Sequence, residues 1–123
     1  MNIIFGTEQA EKLRERFTVL ELDTFTFGNS GPDVTAYCVV EGIPMDKLPL
    51  IESWQRLHEA LIKNYQQRNW AYCQTLIEQL TDAWNSEMNS FYDEIQVRLD
   101  RLILENPGDN WTPVIERPMG ASF

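Results

Sequence analysis

The chain has 123 residues, 43% of them apolar and 24% charged, with a formal net charge of -9 at pH 7. That length suits one domain with a single core, and the apolar share excludes the composition of chains that stay disordered. Nineteen acidic residues stand against ten basic ones, with acids in excess in both halves of the sequence, so direct nucleic-acid or membrane binding is not expected and a basic partner is favoured.

In chain order, Asn2 to Phe5 is a short apolar run that reads as a strand closed by Gly6. Thr7 is expected to cap a helix reaching Phe17, with Glu8 against the positive end of its dipole and Ala10, Leu13 and Phe17 as a narrow apolar stripe. Val19 to Phe27 and Val34 to Val40 are rich in β-branched and aromatic residues. They flank Gly28-Asn29-Ser30-Gly31-Pro32-Asp33, the composition of a longer hairpin loop. Alternation along the second strand puts Val34, Ala36, Cys38 and Val40 on one face and Thr35, Tyr37, Val39 and Glu41 on the other, and Cys38 is assigned to the core side.

Gly42, Pro44 and Pro49 mark a joint, after which helical spacing takes over. Leu50, Trp54, Leu57, Leu61 and Tyr65 form one stripe, ending near Arg68-Asn69. Cys73, Ile77, Leu80 and Trp84 form a second. After turn chemistry at Asn85-Ser86, Met88, Phe91, Tyr92, Ile95, Leu99, Leu102 and Ile103 form a third. Asn106-Pro107-Gly108 stops the last helix, and Trp111 in the extended tail is expected to fold back into a groove, with the last five or six residues loose. The pattern predicts an α+β single domain: a strand-helix-hairpin part over 1-43, a three-helix part over 44-106 and a tail over 107-123.

Chemistry-bearing residues are few. His58 is the one histidine, which excludes a two-histidine metal site and favours a packing or hydrogen-bonding role. Cys38 and Cys73 fall on apolar faces, where desolvation makes a thiol inert. The glycine-containing hairpin loop lacks the lysine and helix start of a phosphate cradle. No secretory signal or bilayer-length apolar run is present, pointing to a cytoplasmic protein. No catalytic residue, cofactor or metal is expected. Between Arg68 and Arg98 there is no basic residue, while Glu78, Asp82, Glu87, Asp93 and Glu94 are acidic. This stretch reads either as a solvated face or as a docking face, with Tyr72, Glu78, Asp82, Trp84 and Tyr92 as its candidate residues.

Leu57, Ala60, Leu61 and Tyr65, a turn at Arg68-Asn69-Trp70, and Cys73, Ile77 and Leu80 resemble one tetratricopeptide unit, with Cys73 at the small-residue crossing position. The usual glycine of the first helix is absent, and the sheet and third helix would have to cover the unit's exposed faces. The order strand, helix, hairpin, proline joint, helix pair and closing Asn106-Pro107-Gly108-Asp109-Asn110-Trp111 resembles the C-terminal end of bacterial class III nucleotidyl cyclases. The catalytic aspartates, asparagine and arginine of that family lie upstream of the matching part, so no residue is carried over. Ile3-Ile4-Phe5-Gly6-Thr7-Glu8-Gln9-Ala10 and the segments Lys63-Asn64-Tyr65 and Arg68-Asn69-Trp70 are similar to small proteins of marine cyanobacterial tailed phages, which implies an accessory role. The residues themselves favour a non-catalytic module that binds a protein partner or self-associates. A nucleotide-linked regulator and an acidic mimic of nucleic acid are the alternatives.

Overall fold

Ala36 to Val40 are all buried, so both faces of this strand are covered and the alternation separates two cores rather than core from solvent. In the computed structural model, which describes residues 2-27 and 32-117, the chain forms an α+β fold. Its strands are β1 (Asn2–Phe5), β2 (Thr18–Phe27), β3 (Asp33–Val40) and β4 (Ile115–Arg117). Its helices are α1 (Thr7–Arg14), α2 (Ile51–Gln66), α3 (Trp70–Leu80) and α4 (Asn89–Glu105). The sheet order is β1-β3-β2-β4, with β3 antiparallel to both neighbours and β4 parallel to β2. Most of the hairpin loop and the end of the tail lie outside the described residues.

On one face α1 seals a small core of Ala10, Val19, Tyr37 and Val39, helped by Ile4 and Leu13. On the other, Leu20, Leu22, Phe25, Ala36, Cys38 and Val40 meet the helical layer of α2, α3 and α4. Small residues on β3 face the thick layer and larger ones the single helix, which lets both layers pack at interior density.

The start of α1 differs from expectation. Gly6 occupies the N-cap at φ 100 with no side-chain cap bond; this region is cheap only for glycine, and it turns the chain from strand to helix without a spacer. Gly6 N donates to Thr35 O at 3.0 Å and Gly6 O accepts from Ala10 N at 3.2 Å. Thr7 is therefore the first helical residue, and its hydroxyl pairs with the Tyr37 hydroxyl at 3.0 Å. The helix stops at Arg14 and leaves Phe17 substantially exposed.

A 3₁₀ turn over Met45–Leu50 leads into α2. Leu61 and Tyr65 are buried as predicted, joined by His58 and Ile62, while Leu50 lies before the helix and is exposed. On α3, Cys73 has no exposed surface, and its thiol lies 3.8 Å from Leu61 O, so a small side chain does sit where α2 and α3 approach.

The helical stripe does not continue to Trp84. After α3 the backbone turns left-handed at Asp82 (φ 65), Trp84 (φ 60), Asn85 (φ 55) and Ser86 (φ 64), each costing on the order of 1 kcal/mol outside glycine. Asp82 clasps the turn: its carboxylate accepts from Ser86 Oγ (3.1 Å) and Asn89 Nδ2 (2.9 Å), and its own N–H donates to Asn89 Oδ1 (3.0 Å). The reversal carries the Trp84 indole into the core, where it is 0% exposed.

Asn106 ends α4 in the left-handed region at φ 46, its N–H bonded to Leu102 O at 2.8 Å. Trp111 then folds back edge-on against Trp70 (4.8 Å) and Tyr65 (5.5 Å). The same tail adds β4 beside Phe25–Phe27 of β2, a pairing that three residues of sequence do not announce.

Candidate functional site

The five residues of the expected docking face do not assemble into one. Tyr72 and Glu78 are exposed on α3, but Asp82 is engaged in its turn clasp, and Trp84 and Tyr92 are core residues at 0% and 2% exposure. Two of the three aromatic anchors are removed by burial because the left-handed turn re-aims Trp84, while Tyr92 lies on the inner stripe of α4.

Those buried aromatics bind His58 instead. Nε2 of His58 lies 2.6 Å from the carbonyl oxygen of Glu21, which can only accept, so Nε2 carries the ring proton. Nδ1 must then accept from the Tyr92 hydroxyl at 2.9 Å, and that hydroxyl accepts the Trp84 indole N–H at 3.0 Å. Every polar atom of this chain from Trp84 to the β2 backbone is satisfied, and no described buried side-chain nitrogen or oxygen is left without a partner. Burial pulls His58 down to about 4, against a smaller raising effect of the Glu21 hydrogen bond. The imidazole is neutral at pH 7, and neither ring nitrogen is left for a substrate.

The thiols are equally committed to the core. Cys38 Sγ lies 3.4 Å from Met88 Sδ. Burial, with the charge of Glu87 behind it, pushes Cys38 up to about 12, and burial pushes Cys73 up to about 11. A thiol at such values is almost wholly protonated at neutral pH and a poor nucleophile. Among the described residues no group of three His, Cys, Asp or Glu side chains could hold a metal ion, and no helix is long and apolar enough to cross a membrane.

A nearly buried ion pair crosses from sheet to helix. Arg98 Nη1 and Nη2 donate to the two oxygens of Asp23 at 2.8 and 3.1 Å, and Arg98 Nε donates to Glu94 Oε1 at 3.3 Å. Desolvation disfavours the guanidinium charge, but the hydrogen bonds and charge of Asp23 outweigh it and hold Arg98 above its ordinary value. The pair ties β2 to α4 with a geometry that two forked groups satisfy together.

Clefts open at the surface among the described residues. One of about 280 Å³ lies between β2 and α2, with charges of both signs from Arg14, Glu21, Glu59 and Lys63 around the edge of His58. Another of about 250 Å³ lies between α4 and the tail, bordered by Arg101, Trp111 and Thr112. The third, about 220 Å³, lies between β1 and α4 and differs in being chiefly apolar, with Ile3, Phe5, Phe25 and Phe91 beside the charged Asp23, Glu94 and Arg98.

This third cleft has a simple origin. Ile3 pairs with Cys38 and Phe5 with Ala36, so both side chains point to the same face as the main core, but the helical layer stops short of the edge strand. Ile3 is 47% and Phe5 42% exposed. Sequence reasoning placed β1 and missed its edge position; the available signal was an uncharged N-terminal strand with large apolar residues two apart. Comparison with protein-family models, curated proteins and solved structures finds no match for this chain.

Proposed function

We propose that this protein is a non-catalytic interaction module that binds a protein partner at the apolar cleft over the sheet between β1 and α4. The observation that carries this reading is the cleft itself, bordered by Ile3 and Phe5, floored by Leu22, Phe25 and Ala36 and walled by α4. An exposed apolar cleft of this kind marks a surface that another protein covers. The burial of Trp84 and Tyr92 supports moving the reading from the α3 face to this cleft. His58, Cys38 and Cys73 support the non-catalytic part, because each is spent on internal packing.

The test is selection of a displayed random-peptide library on the full chain, followed by binding to an Ile3→Ser/Phe5→Ser double variant whose circular dichroism matches the parent. Recovered peptides should bind the parent and lose at least tenfold in affinity for the variant. Recovery of no peptide that depends on these two residues would sink the reading.

A further inference from the structure

We infer that Trp54, Trp84 and Tyr92 form a path for one oxidising equivalent from the surface into the core, where Tyr92 gives its electron outward and its hydroxyl proton to Nδ1 of His58. The chain is then a sink for a one-electron oxidant, an activity independent of what binds at the cleft.

The route starts at Trp54, half-buried on α2. Its ring stands 5.4 Å from that of Trp84, centroid to centroid, at an interplanar angle of 58°. The Trp84 indole N–H in turn donates to the Tyr92 hydroxyl at 3.0 Å. Indole and phenol rings are among the side chains most readily oxidised by one electron. Here they touch in series, from solvent to a centre where Trp84 is 0% and Tyr92 2% exposed.

The inner end of the route holds a proton acceptor. A phenol loses an electron readily only when its proton can leave with it. Nδ1 of His58 lies 2.9 Å from the Tyr92 oxygen and carries no proton, because the Glu21 carbonyl keeps the ring proton on Nε2. In the step itself the Tyr92 O–H bond breaks and an N–H bond forms at Nδ1. The electron passes through Trp84 and Trp54 to the oxidant in solution, which is reduced. The products are a neutral tyrosyl radical and an imidazolium. Both imidazolium N–H groups have acceptors, the Glu21 carbonyl and the Tyr92 oxygen, so the new buried charge is hydrogen-bonded on both sides. Burial pulls His58 down to about 4, but an oxidised phenol is a far stronger acid than an imidazolium, and the proton still moves to the ring.

The other tyrosines lack such a partner. The Tyr37 hydroxyl meets the Thr7 hydroxyl and the Tyr65 hydroxyl has the Arg98 guanidinium beside it, and neither group is a base at neutral pH. Tyr72 is 52% exposed, where a radical is quenched by encounter. The one histidine of the sequence stands at the tyrosine that the tryptophan pair reaches.

The experiment oxidises the intact chain with photogenerated tris(bipyridine)ruthenium(III) and follows radicals by transient absorption and by electron paramagnetic resonance after freeze-quenching. The parent is expected to give a long-lived neutral tyrosyl radical that forms more slowly in heavy water, and Tyr72→Phe should keep it. Tyr92→Phe should lose it and leave a tryptophan radical in its place. His58→Gln should lose most of the signal, and Trp54→Phe should slow its formation severalfold, each with circular dichroism matching the parent. The parent, Tyr72→Phe and Trp54→Phe measurements alter no fully buried side chain, so they decide the matter even where a core variant fails to fold. Absence of a long-lived tyrosyl radical in the parent, or its survival in Tyr92→Phe, would overturn the inference. Full signal in His58→Gln, or equal rates in light and heavy water, would overturn the proton transfer. An unchanged rate in Trp54→Phe would overturn the route, and a sulfur radical at Cys38 in place of the tyrosyl signal would overturn Tyr92 as its end.

Discussion

The hydroxyl of Tyr92 lies 2.9 Å from Nδ1 of His58, and the direction of that bond is set from both ends: the Glu21 carbonyl requires the proton on Nε2, and the Trp84 N–H requires the tyrosine oxygen to accept. A chain with one allowed proton arrangement orders the core more strongly than its pairwise bonds. Tyr92→Phe should therefore leave an acceptor on His58 and a donor on Trp84 unsatisfied, for a loss of about 2 to 4 kcal/mol. Urea unfolding of the variant measures it.

The same histidine sets a pH dependence. Its folded value, about 4, lies below its ordinary 6.5, so as pH falls through 6.5 the unfolded chain takes up a proton that the folded chain refuses. Stability contributed by neutral burial is present above 6.5 and lost as pH falls toward 4, with about 2 kcal/mol gone between pH 7 and pH 5. The difference between parent and His58→Gln in denaturant midpoint across that interval isolates the effect from the carboxylates. An unchanged difference would contradict it.

Arg98→Ala should cost about 3 kcal/mol or more, because it strands Asp23 in a site where that side chain is 10% exposed, and an unpaired buried charge is worse than no charge. Replacing both partners, as Asp23→Leu with Arg98→Met, should recover most of the loss. A double-mutant cycle by thermal or chemical unfolding gives the coupling directly.

At the turn between α2 and α3, Arg68 has φ 65, and its partner Asp109 is 98% exposed. Glycine tolerates that conformation without strain. Arg68→Gly is expected to stabilise the fold by about 0.5 to 1 kcal/mol, read as a rise in melting temperature. A fall would mean that the exposed pair to Asp109 matters more than the backbone.

Trp111 packs against Tyr65 and Trp70 just ahead of β4. Trp111→Ala should cost about 2 kcal/mol, less than a fully buried tryptophan because this one is half-exposed. It should also speed amide hydrogen exchange in residues 115-117 more than in β3. Uniform loss of protection would instead mean that the tail folds as one unit with the core.

Much of the architecture was legible because it depends on local period. The alternation of β3 and the stripes of α2 and α4 follow side-chain direction, and Gly6 and Asn106 sit where backbone conformation requires them. What escaped depends on distant partners. Thr7 looked like a cap because its sequence neighbours invite one, but the Tyr37 hydroxyl thirty residues away takes its side chain. Trp84 fitted a helical stripe until four left-handed residues broke the period. The cleft was invisible because nothing in Asn2–Phe5 states that the helical layer ends before reaching it.

The two-sided burial of β3 also guards its own alignment. Moving the strand by one residue along β2 would exchange its faces, sending Tyr37 toward Met88 and the close-set helices while Cys38 met the sparse layer under α1. In a sheet with one wet face such a slip turns the strand's apolar set into water. Here it would also create a clash on one side and a void on the other, so neither helical layer can close over a misaligned pairing.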